Sequence, residues 1–262
     1  MKPELHRYPR TPHLEGSAVP STDEDLERMP FEELKGVPVV VSEKIDGANA
    51  ALSFTDDGRL LLQSRSRFLD DVILEGRAGA GPYVGFYEWA CEHEDALWPV
   101  LRSRYVMFGE WVLAKQTVFY DNLPNAFLEL DVYDKTTDAW LATPQRRWLL
   151  RTLPIVSAPT LSEYAFSSVD ELLRVIGPSR FKTPMWRDEL LSAIAEADGV
   201  DCERAVEETD PTDLMEGLVI KREENGVVVA RAKLVRHGLR QRGMNTSALW
   251  SSSRRVKNRV CA

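Results

Sequence analysis

Cysteine is scarce: Cys91, Cys202 and Cys261 are an odd number, far apart and in no metal-ligand spacing. That argues against a disulfide framework and for free thiols in a reducing cytoplasm. Histidine is almost as rare, and His6, His13, His93 and His237 form no paired motif, so no structural zinc site is expected. No apolar stretch approaches the length of a membrane span, and the polar start, with Pro3, Glu4, His6, Arg7 and Arg10, does not read as a signal peptide. There is no glycine-rich Walker loop, no Ser/His/Asp arrangement with a nucleophile elbow and no kinase signature. Internal repeats and long low-complexity segments are lacking too.

What remains is the composition of a soluble globular chain, 44% hydrophobic and 28% charged over 262 residues. That length suits one large domain, or a medium domain with an appendage. The net charge of -8 is unevenly spread. From Lys221 onward there are eleven Lys/Arg against two acids, Glu223 and Glu224. A basic face on an acidic chain has phosphate or nucleic acid as its natural partner, and a solvated basic tail is the other reading.

Four prolines before Ser21 (Pro3, Pro9, Pro12 and Pro20) and the acidic Asp23-Glu24-Asp25 predict an irregular lead-in. One short helix is expected near Asp23 to Met29, and a helical turn at Phe31 to Leu34. Strands are expected at Val37 to Val41, Ala50 to Phe54, Leu60 to Ser64, Tyr105 to Val112, Ala126 to Tyr133, Leu214 to Lys221 and Val227 to Leu234. Asp57-Gly58 and Asn225-Gly226 predict hairpin turns. Phe86, Trp89, Ala90, Leu97 and Leu101 recur at helical spacing, which makes Tyr83 to Leu101 a helix with core aromatics; Thr143 to Leu153 reads as a shorter one. Residues 159 to 211 read as a helical insertion, with helices at Ser168 to Ile176 and Pro184 to Glu196, because strand pattern resumes beyond it. The fold class is α+β, mainly antiparallel sheets flanked by helices.

One stretch stands out, Ser42-Glu43-Lys44-Ile45-Asp46-Gly47-Ala48-Asn49. Apolar runs flank it, so it reads as strand, exposed lysine, turn, strand. A lysine fixed there can be a covalent nucleophile if its charge is suppressed. An ordinary charged hairpin is the alternative, with Asp46 and Gly47 merely its turn. Further polar residues also sit in or beside apolar runs: Arg65, Glu110, Glu216, Lys221, Arg231 and Lys233. A nucleophilic lysine among acids and other cations suits phosphoryl or nucleotidyl transfer, with the nearby cations lowering the lysine's pKa. Glu129 and Asp131 alternate as a solvated strand face would, and Arg67 reads as a surface residue. Lys115, near Phe119-Tyr120, is a weaker candidate for a phosphate contact.

These motifs, in this order, resemble those of the covalent nucleotidyltransferases, which comprise ATP-dependent RNA and DNA ligases and capping enzymes. Glu43 to Asn49 looks like motif I, Ser64-Arg65-Ser66-Arg67 like motif Ia, and Phe108-Gly109-Glu110-Trp111 like motif III. Phe127 to Val132 is similar to motif IIIa, Glu216 to Lys221 to motif IV, and Arg231-Ala232-Lys233-Leu234 to motif V. Any one of these is weak and all in order are strong. The RNA ligase 2 group is the most similar, since its motif I also carries an asparagine five residues past the lysine.

The resemblance implies an ATP-grasp-like ligase domain over 1–238, with the helical insertion at about 159–211, and a basic C-terminal extension over 239–262. It implies an ATP-dependent RNA ligase in which Lys44 takes AMP, Glu216 holds Mg2+ or Mn2+, and Lys221 and Lys233 contact phosphate. The Glu43 main chain, with Ile45 beside it, would read adenine, and Asn49, Arg65 and Glu110 would position ribose and phosphates. The partner would be RNA with nicked or broken ends, with DNA ends as one alternative and a nucleic-acid-binding protein on a degenerate ligase scaffold as another. Two positions depart from the pattern. Arg231 stands where motif V usually has a lysine, and Leu130 stands where a ring stacks on adenine, a role left to an aliphatic face or to Phe127 from a shifted register. About thirty residues follow motif V, too few for an OB-fold. Strand capture is then left to the basic tail, including Arg254, Arg255, Lys257 and Arg259, or to a partner protein.

Overall fold

The structure is a computed structural model that describes residues 3–19, 23, 25–69, 81–239 and 256–261. Arg254 and Arg255 lie outside the described residues. Twelve strands form two sheets among them. The strands are β1 (His13–Leu14), β2 (Arg28–Met29), β3 (Pro38–Lys44), β4 (Ala48–Phe54), β5 (Leu60–Ser64), β6 (Tyr105–Trp111), β7 (Phe127–Asp134), β8 (Ala139–Trp140), β9 (Val156–Ser157), β10 (Thr160–Ala165), β11 (Gly217–Glu224) and β12 (Val227–Val235). The helices are α1 (Phe86–Leu101), α2 (Thr143–Leu150), α3 (Val169–Leu173), α4 (Trp186–Ala195) and α5 (Cys202–Glu207). The first sheet runs β10-β3-β11-β12-β1-β2 and the second β5-β4-β6-β7-β8, with β9 also on β7. The pairings are antiparallel except at β1, β2 and β9, so the α+β, mainly antiparallel reading holds.

Strand alternation sorts side chains to two sides of each sheet. On the first sheet Val39, Val41, Leu218, Ile220, Ala232 and Leu234 enter one core with Phe31, Leu34 and Phe166. On the second, Ala50, Leu52, Phe54, Met107, Trp111 and Phe127 pack against Phe86, Trp89, Ala90, Leu97 and Leu101 of α1, the five residues that helical spacing predicts. The opposite faces carry Lys44, Lys221, Arg231 and Lys233 on one sheet, and Asn49, Glu110 and Asp131 on the other. Ion pairs such as Lys221–Asp131 cross between them, so the two polar faces form a cleft.

Several expectations are corrected. The run around Lys44 is not a hairpin: β3 pairs with β10 and β11, β4 pairs with β5 and β6, and Ile45-Asp46-Gly47 crosses from one sheet to the other. Residues 160–165, expected within the helical insertion, form β10, because the outer edge of β3 has backbone groups that need partners. Arg28–Met29, expected at the end of a helix, pairs with β1, and this non-local pairing prevails over local propensity. Residues 256–261 do not trail away. Val256 is fully buried with Phe119 and Trp186, and Asn258 bonds Tyr120 N and Val112 O at 2.9 and 2.7 Å. Among the described residues no helix is long and apolar enough to cross a membrane.

Candidate active site

Lys44 ends β3, and its register partner on β11 is Gly217, which puts Glu216 beside the lysine. A Cβ on Gly217 would lie 2.0 Å from the Leu234 carbonyl oxygen, so only glycine permits this strand approach. Lys44 Nζ donates to Glu216 Oε2 at 2.6 Å. Across the cleft, Asn49 and Glu110 are register partners on β4 and β6. Asp46 turns away from the cleft: its Oδ2 accepts from Thr117 N and Val118 N at 2.7 and 2.6 Å. It does more than make a turn, because it anchors the crossover.

The lysine was expected to be exposed, but its side chain is only 23% exposed. Burial pulls its pKa down, and Glu216, with Asp46 and Glu110 behind it, more than restores it, so the group lies above its ordinary value. The expected depression by neighbouring cations is therefore reversed in this state by the acids. Burial raises Glu216 and Glu110 to about 7 against the pull of Lys44. Two carboxylates, Glu216 buried and Glu110 half-buried, facing one ammonium leave room for more positive charge. Among the described residues no group of three or more His, Cys, Asp or Glu could hold a metal. A magnesium-like ion does not require such a group, since it takes one or two carboxylates and completes its shell with water and substrate phosphate.

Asn49 supplies a second sign of a ligand. Its Nδ2 donates weakly to Gly109 O at 3.4 Å, while its buried Oδ1 has no partner. A buried acceptor left unpaired is costly, and a ligand hydroxyl could satisfy it. Arg65 follows β5 on the surface, and its charge bears on both Glu110 and Lys233. Lys44, Glu216, Glu110, Asn49, Arg65 and Lys233 therefore belong to one neighbourhood.

Lys221, Arg231 and Leu130 belong to another. Lys221 lies four β11 positions from Gly217, roughly 13 Å along the strand. Its Nζ donates to Asp131 Oδ1 at 2.8 Å and to Leu130 O at 2.6 Å. Arg231 approaches the same carboxylate at 3.4 Å and lies 4.4 Å from the Trp140 ring. The Tyr8 hydroxyl adds a bond to Asp131 Oδ2 at 2.6 Å. Glu129 is held by Arg146 at 2.6 Å and Ser157 at 2.6 Å. Both acids are fully buried, which overturns the solvated-face reading. Burial raises Asp131, but Lys221, Arg231 and Arg146 hold it far below the usual carboxylate range. Leu130 sits at a bulge in β7 and packs near Ile45 and Leu128. Phe127 cannot replace the missing ring, since it is buried on the other side against Trp89 and Phe86.

The side chain of Glu43 points away from the cleft. It accepts from Ser179 Oγ at 2.5 Å and Arg180 N at 3.0 Å, and burial raises its pKa. Its main-chain N–H is taken by Pro159 O at 3.0 Å. Lys115 is fully buried and its Nζ donates to Gln116 O, which removes it from phosphate contact; Arg67 is exposed. Arg259, expected in a basic tail, pairs with Glu196 and Glu189. Lys233 bonds Asp23, which also meets His13 at 3.2 Å and Arg10 at 3.6 Å. Tyr8, His13, Asp23 and Arg146 were not legible as site residues, because each reaches the cleft only through long-range packing; Ser179 was missed for the same reason, though it meets Glu43 away from the cleft.

A half-buried lysine amid acids thus lies in a cleft between two largely antiparallel sheets. The RNA ligase family model matches residues 37–235, about three quarters of the chain, and the chain belongs to that family. An archaeal ATP-dependent RNA ligase is similar over 88% of this chain and 48% of its own, at 15% identity and a TM-score of 0.48. A Naegleria gruberi RNA ligase with ATP and Mn is similar over 78% of this chain and 51% of its own, at 18% identity and a TM-score of 0.43. The chain thus spans about half the length of these solved relatives. No curated protein matches it.

Proposed function

We propose that the protein is an ATP-dependent RNA ligase that works through a lysyl-AMP intermediate. The observation that carries this is the 2.6 Å contact between Lys44 Nζ and Glu216 within the family-matched region. In the first step Lys44 loses a proton, for which the Glu216 carboxylate is the nearest acceptor. The neutral amine attacks the α-phosphorus of ATP, the Nζ–P bond forms, the bond to the β-phosphate oxygen breaks and pyrophosphate leaves. Loss of the second Nζ proton gives the phosphoramidate. Glu216, with Glu110 opposite, would hold a magnesium or manganese ion, which supplies positive charge against the phosphate oxygens. Asn49 Oδ1 accepts a ribose hydroxyl, and Lys233 and Arg65 oppose the phosphate charge. AMP then passes to a 5′-phosphate end, and a 3′-hydroxyl displaces it to seal the strand.

Residues 1–238 are the adenylating unit in this reading. Lys221 and Arg231, paired with Asp131, shape the wall next to Leu130 and leave phosphate contact to Lys233. The manganese and nucleotide in the Naegleria ligase support the cofactor assignment by analogy of family.

Protein incubated with labelled ATP and magnesium is expected to carry an AMP label that is labile in acid and stable in alkali, and Lys44→Ala should lose it. Wild type that binds ATP without forming the adduct would instead be a binding protein on a ligase scaffold. Matched RNA, DNA and hybrid nicks then test the strand, with RNA expected to be sealed fastest. A faster rate on DNA nicks would overturn the RNA assignment.

A further inference from the structure

Arg236 follows β12 and is one of the most completely engaged cations in the described chain. Its side chain is 6% exposed. Nε donates to Met215 O at 2.9 Å, Nη2 donates to Thr212 Oγ1 at 2.9 Å, and Nη2 lies 2.6 Å from Asp210 Oδ1. Its own main-chain N–H donates to Glu216 O at 3.1 Å. The loop that delivers Glu216 is therefore gripped at residues 210, 212, 215 and 216 by a single arginine.

The grip continues to the nucleophile. Asp210 N donates to Thr117 O at 2.8 Å, and Thr117 N and Val118 N donate to Asp46 Oδ2. Asp46 is two residues from Lys44, and its main-chain N–H donates to the Tyr120 hydroxyl at 2.9 Å. An unbroken series of hydrogen bonds and one ion pair thus joins the turn after Lys44 to the loop before Glu216. Strand register already fixes Gly217 opposite Lys44, but Glu216 lies outside the strand, where register no longer sets its direction.

We propose that Arg236 is a positioning residue for adenylation: it holds the Glu216 loop so that the carboxylate meets Lys44, through Met215 on one side and the Asp210–Thr117–Asp46 series on the other. This rests on the lysyl-AMP reading and adds to it a residue outside the six motifs. Arginine suits the position because a planar guanidinium bonds several acceptors at fixed angles, and lysine reaches fewer.

The test is single-turnover lysyl-AMP formation at saturating ATP, scored as a rate constant per adduct-forming molecule. Arg236→Met is expected to lower that constant roughly 10- to 100-fold, as loss of an outer support of a site does. The ATP concentration for half-maximal rate should stay at the wild-type value, and Arg236→Lys should recover part of the loss. Thr212→Val, which removes no charge but the hydroxyl that accepts from Arg236 and Leu214 N and donates to Asp210, should give a smaller change of the same kind if Arg236→Met fails to fold. A merely structural arginine predicts a smaller number of active molecules, each reacting at the wild-type rate, and that result overturns the proposal. Wild type that forms no adduct overturns the ligase reading, whereas normal wild type with unaffected variants overturns only the role of Arg236.

Discussion

Asp131 gives up all of its hydration and receives in return two cations, Lys221 and Arg231, and the Tyr8 hydroxyl. Removing its charge leaves those cations buried and uncompensated. Asp131→Asn is therefore expected to cost about 3–5 kcal/mol, read from urea unfolding at neutral pH. The same group sets a pH dependence. Its folded pKa lies below its unfolded one, so its stabilisation is fully present above the ordinary aspartate range, begins to fall as pH enters that range, and is lost only as pH drops through the depressed folded value. The acid limb of the stability profile should be shallower in Asp131→Asn than in wild type. Which residues were legible follows from the same contrast. Lys44, Glu110 and Glu216 were visible because each sits in or beside an apolar run. Asp131 does so too, but alternation alone cannot tell a solvated face from one that meets a second sheet. Tyr8 and Asp23 gave no signal, since a proline-rich lead-in has no periodicity from which burial could be inferred.

At the scale of elements, the decisive piece is the three-residue crossover between β3 and β4. Gly47 makes it possible: a Cβ there would sit 2.7 Å from Glu110 Cγ, and 2.8 Å from both Trp111 O and Val112 Cγ1. Gly47→Ala is expected to cost about 1–3 kcal/mol, as overpacking does, and to slow adenylation by displacing either Glu110 or the turn that carries Lys44. Paired urea and adduct-rate measurements would check it, and a variant with wild-type stability and rate would refute it. The hairpins β4–β5 and β11–β12 were readable because Gly58 and the Asn225-Gly226 pair take positive φ, a requirement written in residue type. The crossover carries a similar Asp-Gly signal, yet here the pair joins two sheets. Local turn chemistry fixes the bend and leaves the partner strand unspecified. Strand β10 was missed for the complementary reason: it is an edge strand, and β3 supplies the pairing that its own sequence does not advertise.

Across the whole molecule, the cleft has two ends with different electrostatics. At the Asp131 end, Glu129 and Asp131 face three cations, Arg146, Lys221 and Arg231, so that end has no need of a further cation. At the other end Asp46 is committed to backbone N–H groups and Lys233 to Asp23, which leaves Glu110 and Glu216 sharing Lys44. A net chain charge of -8 does not relieve that excess. A cation that binds the folded state alone stabilises it by mass action, about 2.7 kcal/mol at 100 times its Kd. Magnesium or manganese should therefore raise the Tm of the nucleotide-free protein, and Glu216→Gln should abolish most of the rise. Asp131→Asn, though less stable, should keep the full increment, because its cluster lies at the end already supplied with cations. An equal rise in wild type and Glu216→Gln would mean that the ion binds elsewhere, and the acids around Lys44 would then serve the lysine alone.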